Sequence, residues 1–179
     1  MRELSLNVMD IVQNSISAGA TVIKMTVLEE AQKLTIVVTD NGKGMSKEQV
    51  CKVIDPFFTT RTTRKVGMGI PLFKMEAEMT GGSFEIESDL NQGTKVTATF
   101  ITTHLDMLPL GDINATVWLL ITCNPDLDFI FYRRIGHLDF TLNTKELKDI
   151  LGEIPLNAPD VSQWLKDYLT EQTALLHGG

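Results

Sequence analysis

The sequence contains few of the residues that define several large protein classes. It has only two cysteines, Cys51 and Cys123, with no other cysteine or histidine at metal-ligand spacing, which argues against a disulfide framework or a zinc site. We expect both to be buried thiols. No uncharged apolar run reaches the roughly 18 residues of a membrane helix, and the 43% apolar content excludes a disordered polyelectrolyte. We therefore expect a soluble globular protein.

Positive charge is also scarce, with 16 basic against 23 acidic side chains and a net charge of −7. Phosphate contacts dominate nucleic-acid affinity and require clustered lysine and arginine, so we expect no nucleic-acid partner. The first residues lack the apolar core of a secretory signal. The sequence therefore predicts a cytoplasmic protein without a membrane partner.

The charge is distributed unevenly along the chain. Residues 1–103 carry 11 basic and 12 acidic side chains, whereas residues 104–179 carry 5 and 11. Turn-forming residues, Pro109, Gly111 and Asp112, follow this change. We therefore predict one domain over residues 1–104 and an acidic α+β extension over residues 105–179.

The first predicted element is a helix over residues 3–18, whose apolar positions recur at helical spacing. A polar stripe accompanies them, because Asn7, Asp10 and Asn14 stand three and four residues apart and share one side of the helix. Such a stripe could hold a cation or could simply face solvent. Alternating apolar and polar residues predict strands over residues 22–29, 33–39, 83–89 and 95–101.

Two glycine-containing segments stand at the ends of predicted elements. The second strand runs directly into Asp40-Asn41-Gly42-Lys43-Gly44-Met45. A capping box then opens a short helix at Ser46. Further along, Gly67-Met68-Gly69 precedes another helical pattern, an arrangement that favours bound phosphate because unpaired N–H groups and the helix dipole both attract an anion. Between these segments lies a loop of hydroxyl and cationic side chains, including Thr60, Arg61, Arg64 and Lys65.

The order of these motifs resembles the gyrase, histidine kinase and mismatch-repair ATPase superfamily, known as the Bergerat fold. The resemblance rests on five segments and covers roughly residues 3–101: Asp10 to Ala20, Asp40 to Gly44, Asp55 to Arg61, Gly67 to Gly69, and Gly93-Thr94. It is strongest to the catalytic domain of sensor histidine kinases. The fold that it implies is a two-layer α+β sandwich, a mixed sheet covered on one face by helices.

The resemblance also implies a site for ATP and Mg²⁺. Asn14 would coordinate Mg²⁺, Asp40 would accept a hydrogen bond from the adenine amino group, and Thr94 would support Asp40. Gly42 and Gly44 would admit the purine, and Gly67 and Gly69 would admit the phosphates. The remaining residues of the implied nucleotide site are Met45, Thr60, Arg61, Lys65 and Met68, some of them in the segment that matches the family's ATP lid.

Asp10 is the implied catalytic residue. Members of the superfamily that hydrolyse ATP carry a glutamate here, which positions or deprotonates the attacking water. Aspartate has the same charge but is one methylene shorter, so we expect slow hydrolysis. A solvated helix face is the alternative interpretation of this position.

The sequence lacks a recognisable phosphoacceptor. The nucleotide motif starts within ten residues of Met1, and none of His104, His137 and His177 begins an acceptor pattern. We therefore expect ATP hydrolysis or phosphotransfer in trans to a separate protein. The alternative is a nucleotide-gated interaction module without significant catalysis. We expect a regulatory or docking role for the C-terminal extension.

Overall fold

The computed structural model of the protein describes residues 3–59 and 69–178. Its centre is a six-stranded mixed sheet with the strand order β3-β4-β2-β1-β5-β6, covered on one face by helices. The strands are β1 Val22–Glu30, β2 Lys33–Asp40, β3 Ser83–Asp89, β4 Gly93–Ile101, β5 Asp128–Ile135 and β6 Leu138–Asn143. The helices are α1 Leu4–Ser17, α2 Lys47–Val53, α3 Pro56–Thr59, α4 Gly69–Met79, α5 Ile113–Cys123, α6 Thr144–Leu151 and α7 Pro159–Leu176.

Alternation along the strands creates the core face of the sheet. In β1, Ile23, Met25 and Val27 are at most 1% exposed, whereas Lys24 between them is exposed. Successive strand residues point to opposite faces, so this pattern places one apolar row beneath the helices. The predicted strands and the predicted first helix are confirmed, with ends that differ by one or two residues. The capping box at Ser46 is also confirmed, because its hydroxyl accepts from the Gln49 N–H at 3.2 Å.

The sheet is continuous across the predicted boundary at residue 105. β5 pairs in parallel with β1 over eight residues, from Val22 with Asp128 to Glu29 with Ile135. All other strand pairs are antiparallel. The change in charge therefore falls in the loop between β4 and α5, and the segment that follows extends the same sheet.

The C-terminal segment also contacts the beginning of α1. The backbone N–H groups of Leu4 and Ser5 donate to the carbonyls of Pro109 and Leu110 at 3.0 and 2.9 Å. The first N–H groups of a helix have no partner within the helix, so these bonds satisfy donors that would otherwise need water. The Thr116 hydroxyl in α5 donates to the Ser5 carbonyl at 3.3 Å. The start of α1 is thus fixed by residues that lie more than a hundred positions further along the chain.

The expectation of buried thiols is wrong. Both Cys51 and Cys123 are exposed. Cys51 belongs to α2, a short surface helix that buries none of its residues, and Cys123 is the last residue of α5. Within residues 3–59 and 69–178, no helix combines the length and the apolar composition needed to cross a bilayer.

Candidate functional site

A cavity of about 380 Å³ opens between α1 and the ends of β2 and β4. Its wall is mostly apolar, with a few polar groups that converge from different elements. Such a combination is typical of small-molecule sites. The lining residues are Ile11, Asn14, Ser15, Ser17, Ala18, Val38, Asp40, Lys43, Gly44, Met45, Val53, Ile70, Thr94 and Val96.

Asp40 is the acid in this cavity, and its carboxylate is held in one orientation. Its Oδ2 accepts a hydrogen bond from the Ser15 hydroxyl at 2.6 Å, and its Oδ1 accepts from the Gly42 N–H at 2.8 Å. Ser15 is only 4% exposed on α1, so the two elements are joined inside the structure. An ionised carboxylate can accept about four hydrogen bonds. Asp40 therefore retains capacity for a donor on a ligand in the cavity.

Thr94 lies directly beside Asp40, because the two residues are register partners in the β2–β4 pair. Its hydroxyl is 2.8 Å from the hydroxyl of Ser88. The Ser88 oxygen also accepts from the Met45 N–H at 2.8 Å, and its hydroxyl lies within hydrogen-bond distance of the Gly93 carbonyl, at 3.0 Å. This network fixes the backbone of the Asp40–Met45 turn against β3 and β4.

The glycines of the turn permit close backbone contacts. Gly44 has a φ of +67°, and a Cβ at this position would overlap the Asp89 carbonyl. A Cβ at Gly42 would lie 2.9 Å from the Ala18 carbonyl and 3.1 Å from Asp40 Oδ1. Gly44 lines the cavity, whereas Gly42 is buried behind it. Both glycines therefore have a structural role in bringing the turn against α1 and β3.

Asn14 and Asp10 occupy different positions relative to the cavity. Asn14 is half-buried and lines the wall. Asp10 is exposed one turn earlier on α1 and belongs to the surface beside the cavity. A Cβ at Gly69, the first residue of α4, would come within 2.9 Å of the Asp10 Cβ. Glycine at this position allows the start of α4 to approach α1 next to Asp10.

Several predicted site residues fall on parts of the chain outside the described ranges: Thr60, Arg61, Lys65, Gly67 and Met68. The described ranges bring five predicted residues to the cavity wall, namely Asn14, Asp40, Gly44, Met45 and Thr94. Gly42 and Gly69 lie just behind or beside the wall.

Ser15 and the apolar wall are site features that the sequence motifs do not identify. The residue spacing in the sequence nevertheless places Ser15 and the apolar wall residues on faces shared with other lining residues. On α1, Ile11 and Ser15 are four residues apart and so lie on one face. On the strands, Val38 stands two residues from Asp40 and Val96 two residues from Thr94, so each pair shares a face of the sheet. The wall is completed by Val53 and Ile70 from two further helices.

The chemistry of the cavity suits a flat, partly apolar ring with a donor at one edge. The apolar residues would cover the faces of the ring, and Asp40 would accept from its edge. In the described part of the chain, no cluster of three or more His, Cys, Asp or Glu side chains could hold a metal ion alone. A cation here would need oxygens from its ligand, as Mg²⁺ commonly does when it binds with a phosphate. The Asn14 amide oxygen fits that requirement as a single protein ligand.

The sequence is similar to that of known ATPases and kinases. Residues 2–104 match the family model described as histidine kinase-, DNA gyrase B-, and HSP90-like ATPase. Sporulation kinase D of Bacillus subtilis (strain 168) is 40% identical over 68 residues, which are 38% of this chain and 13% of that protein. The sensor histidine kinase ZraS of Escherichia coli (strain K12) is 32% identical over 76 residues, 42% of this chain and 16% of the kinase. Each match thus covers less than half of this chain and less than a fifth of the kinase.

Solved structures are similar over a larger part of the chain. The Aquifex aeolicus MutL ATPase domain complexed with ADP has a TM-score of 0.51 at 14% identity, and the match covers 89% of this chain and 85% of that one. The N-terminal domain of a DNA repair protein has a TM-score of 0.56 at 14% identity, covering 86% and 58% of the two chains. At this identity the likeness concerns the fold, which extends beyond residue 104.

Proposed function

Because the chain belongs to the histidine kinase-, DNA gyrase B-, and HSP90-like ATPase family, we propose that its cavity binds Mg-ATP with the adenine at Asp40. The family supports ATP binding in general. We also propose which residues contact the nucleotide, that Mg²⁺ binds with it, and that the bound ATP reacts. We further propose a cytoplasmic location, where ATP is available.

One observation carries the proposal: the Asp40 carboxylate is oriented by Ser15 and Gly42 at the cavity wall. Adenine presents an amino group, which donates, at the position where guanine presents a carbonyl, which accepts. A carboxylate held by two donors retains acceptor capacity for that amino group and would repel the guanine carbonyl. Val38 and Val96, both 2% exposed, would pack against the ring. This arrangement predicts a preference for ATP over GTP.

Asn14 is the proposed protein ligand of Mg²⁺. Its helix passes along the cavity, and its amide is half-buried at the wall. When bound, Mg²⁺ would neutralise phosphate charge and polarise the phosphoryl group. We also propose phosphate contacts for Thr60, Arg61, Lys65, Gly67 and Met68, together with Gly69 at the N-terminus of α4, where helix N–H groups favour anions.

Asp10 is the proposed catalytic residue, acting on the water or hydroxyl that attacks the terminal phosphate. It lies one helical turn from Asn14 and beside Gly69, so it would sit near the phosphate end of a nucleotide whose base is at Asp40. Its side chain is shorter than the glutamate that the family resemblance leads one to expect. We therefore propose slow ATP hydrolysis or phosphotransfer to a separate protein.

The test uses γ-³²P-labelled ATP with Mg²⁺ and the purified protein, alone and with cell extract. The proposal expects labelled phosphate or a labelled protein, and, with ATP below the wild-type Kd, it expects the signal to fall about 30-fold or more in Asp40→Asn. If wild-type protein binds ATP but yields neither product, the enzymatic part of the proposal is wrong.

A second candidate is a nucleotide-gated interaction module. It is favoured by the contacts between α1 and the C-terminal segment, because the helix that carries Asn14 is fixed by Pro109 and Leu110. A shift of α1 on ATP binding would therefore displace the C-terminal segment through these hydrogen bonds. Equal affinity for a purified partner with ATP, with ADP and without nucleotide would exclude this candidate, because only differential affinity shifts a population.

A further inference from the structure

The C-terminal helices enclose an apolar groove far along the chain from the nucleotide motifs. It has a volume of about 340 Å³, and we call it the α6–α7 groove. Two of its side chains are well exposed, Ile150 at 81% and Trp164 at 47%. Single exposed apolar residues are common, but a contiguous apolar groove marks an interaction site. Its lining residues are Leu147, Ile150, Leu151, Asp160, Val161 and Trp164.

The groove is formed before any partner binds. Trp164 stacks on Tyr168 with ring centroids 5.0 Å apart and an interplanar angle of 17°. Tyr168 in turn packs edge-on against Phe140 of the sheet, with centroids 6.3 Å apart. A fixed aromatic ring offers a large contact area at low entropic cost, which is the property of residues that dominate binding energy.

The charge around the groove is negative. Residues 144–176 contain six acidic and three basic side chains. Two of the lysines are engaged away from the groove. Lys148 donates to the Leu127 carbonyl at 2.6 Å and to Asp128 at 2.9 Å, and the Lys166 ammonium lies 5.1 Å from the Trp118 ring centroid. Asp160 lines the groove itself, Glu146 lies one helical turn before Ile150 on α6, and Glu153 follows Ile150 by three residues, beyond the end of the helix.

We propose that the α6–α7 groove binds a basic amphipathic segment of a partner protein. Apolar side chains of that segment would pack on Ile150 and Trp164, and its lysines or arginines would face the acidic rim. Electrostatic complementarity of this kind selects a partner and accelerates association. The same charge disfavours a second copy of this chain and an anionic lipid surface, because both would bring negative charge against the rim.

The test measures binding of two fluorescently labelled 18-residue peptides to the full chain without nucleotide, so that it stands apart from the ATP proposal. One peptide places leucine on one helix face and lysine on the other; its counterpart carries glutamate in place of lysine. The proposal expects saturable binding of the lysine peptide alone at physiological salt, weakened about tenfold by Ile150→Ser. Neutralising the rim with Asp160→Asn and Glu153→Gln should also weaken it.

Matched controls are Leu105→Ser, which alters a fully exposed leucine outside the groove, and Asp106→Asn. Both should bind the lysine peptide as the wild type does. Equal binding of the two peptides, or equal loss in Ile150→Ser and Leu105→Ser, would overturn the proposal. A dimer in sedimentation that is lost in Ile150→Ser would assign the groove to a second copy. Ile150-dependent binding to phosphatidylglycerol vesicles would assign it to lipid. Either result would refute the proposal that the groove binds a basic segment of a different protein.

Discussion

The two regions on either side of residue 104 share one sheet but use their polar side chains differently. In the first region, Asp40 and Thr94 point from paired strands to a cavity wall, together with Ser15 from α1. In the second region, the corresponding inward positions of β5 are Phe129 and Phe131, both 0% exposed. The polar side chains of this region lie mainly on α5, α6 and α7. The candidate chemistry therefore belongs to the β2–β4 half of the sheet, whereas stability depends on both halves.

A partly buried ion pair joins the two regions. Arg133 in β5 is 5% exposed, and its guanidinium contacts the Glu29 carboxylate of β1 at 3.3 Å. Removing Glu29 would leave the buried Arg133 guanidinium without this partner, which is destabilising. Together with the parallel β1–β5 pairing, this contact argues that the regions fold as one cooperative unit.

The largest expected effect tests that shared stability. Phe131→Ala in the second region and Phe73→Ala in the first each remove a fully buried ring that packs on another aromatic, Phe140 and Phe100 respectively. Each should lower the free energy of unfolding by about 3–5 kcal/mol. Urea unfolding with hydrogen exchange should report one transition, in which β1 and β5 lose protection together. Loss of hydrogen-exchange protection confined to the mutated region would show that the two regions unfold separately.

The next effect separates the regions by function. Asp40→Asn should weaken ATP binding by ~2–3 kcal/mol, roughly 30- to 150-fold, because the amide presents a donor to the adenine amino group. Asp126→Asn, an exposed aspartate in the second region, is the matched control and should bind ATP normally. Isothermal titration calorimetry with ATP and Mg²⁺ measures both. Equal affinities in the two variants would remove Asp40 from the site.

A smaller effect tests how Asp40 is held. Ser15→Ala removes the 2.6 Å hydrogen bond to Asp40 Oδ2 and should weaken ATP binding by about 1.5 kcal/mol, roughly tenfold. Gln13→Ala alters an exposed side chain of the same helix that does not line the cavity, and it should have little effect. The same titration compares them. If Ser15→Ala bound ATP as well as Gln13→Ala, the Ser15–Asp40 contact would not be the one that orients the carboxylate.

The smallest effect on affinity is expected at Asp10. Asp10→Asn should bind ATP within about twofold of wild type, because Asp10 lies beside the cavity wall and not on it. Turnover should fall about tenfold, less than the roughly 100-fold that a well-placed base contributes. Phosphate release under single-turnover conditions measures this step. Unchanged turnover would show that Asp10 is not the base.

The sequence predicted the local features well because short-range periodicity determines them. Alternation located the strands, and the Ser46 capping box located the start of α2. The parallel pairing of β1 with β5 could not be predicted in this way, because it joins residues about a hundred positions apart. The role of Ser15 was missed for a related reason: its partner Asp40 is 25 residues away.

Exposure was harder to predict than secondary structure. Cysteine is usually buried, but Cys51 lies on α2, a helix that buries none of its residues, and is exposed. The charge change near residue 105 lies between β4 and α5, and it gave no information on strand pairing. In the site, Asp40 and Thr94, whose roles the family resemblance implied, are register partners on neighbouring strands, and both reach the cavity.

The most direct test of the central claim is a crystal structure with a non-hydrolysable ATP analogue and Mg²⁺. The account predicts the adenine amino group within hydrogen-bond distance of the Asp40 carboxylate and the metal at the Asn14 amide oxygen. A nucleotide bound elsewhere on the protein, or bound in the cavity with Asp40 and Asn14 turned away from it, would contradict the account.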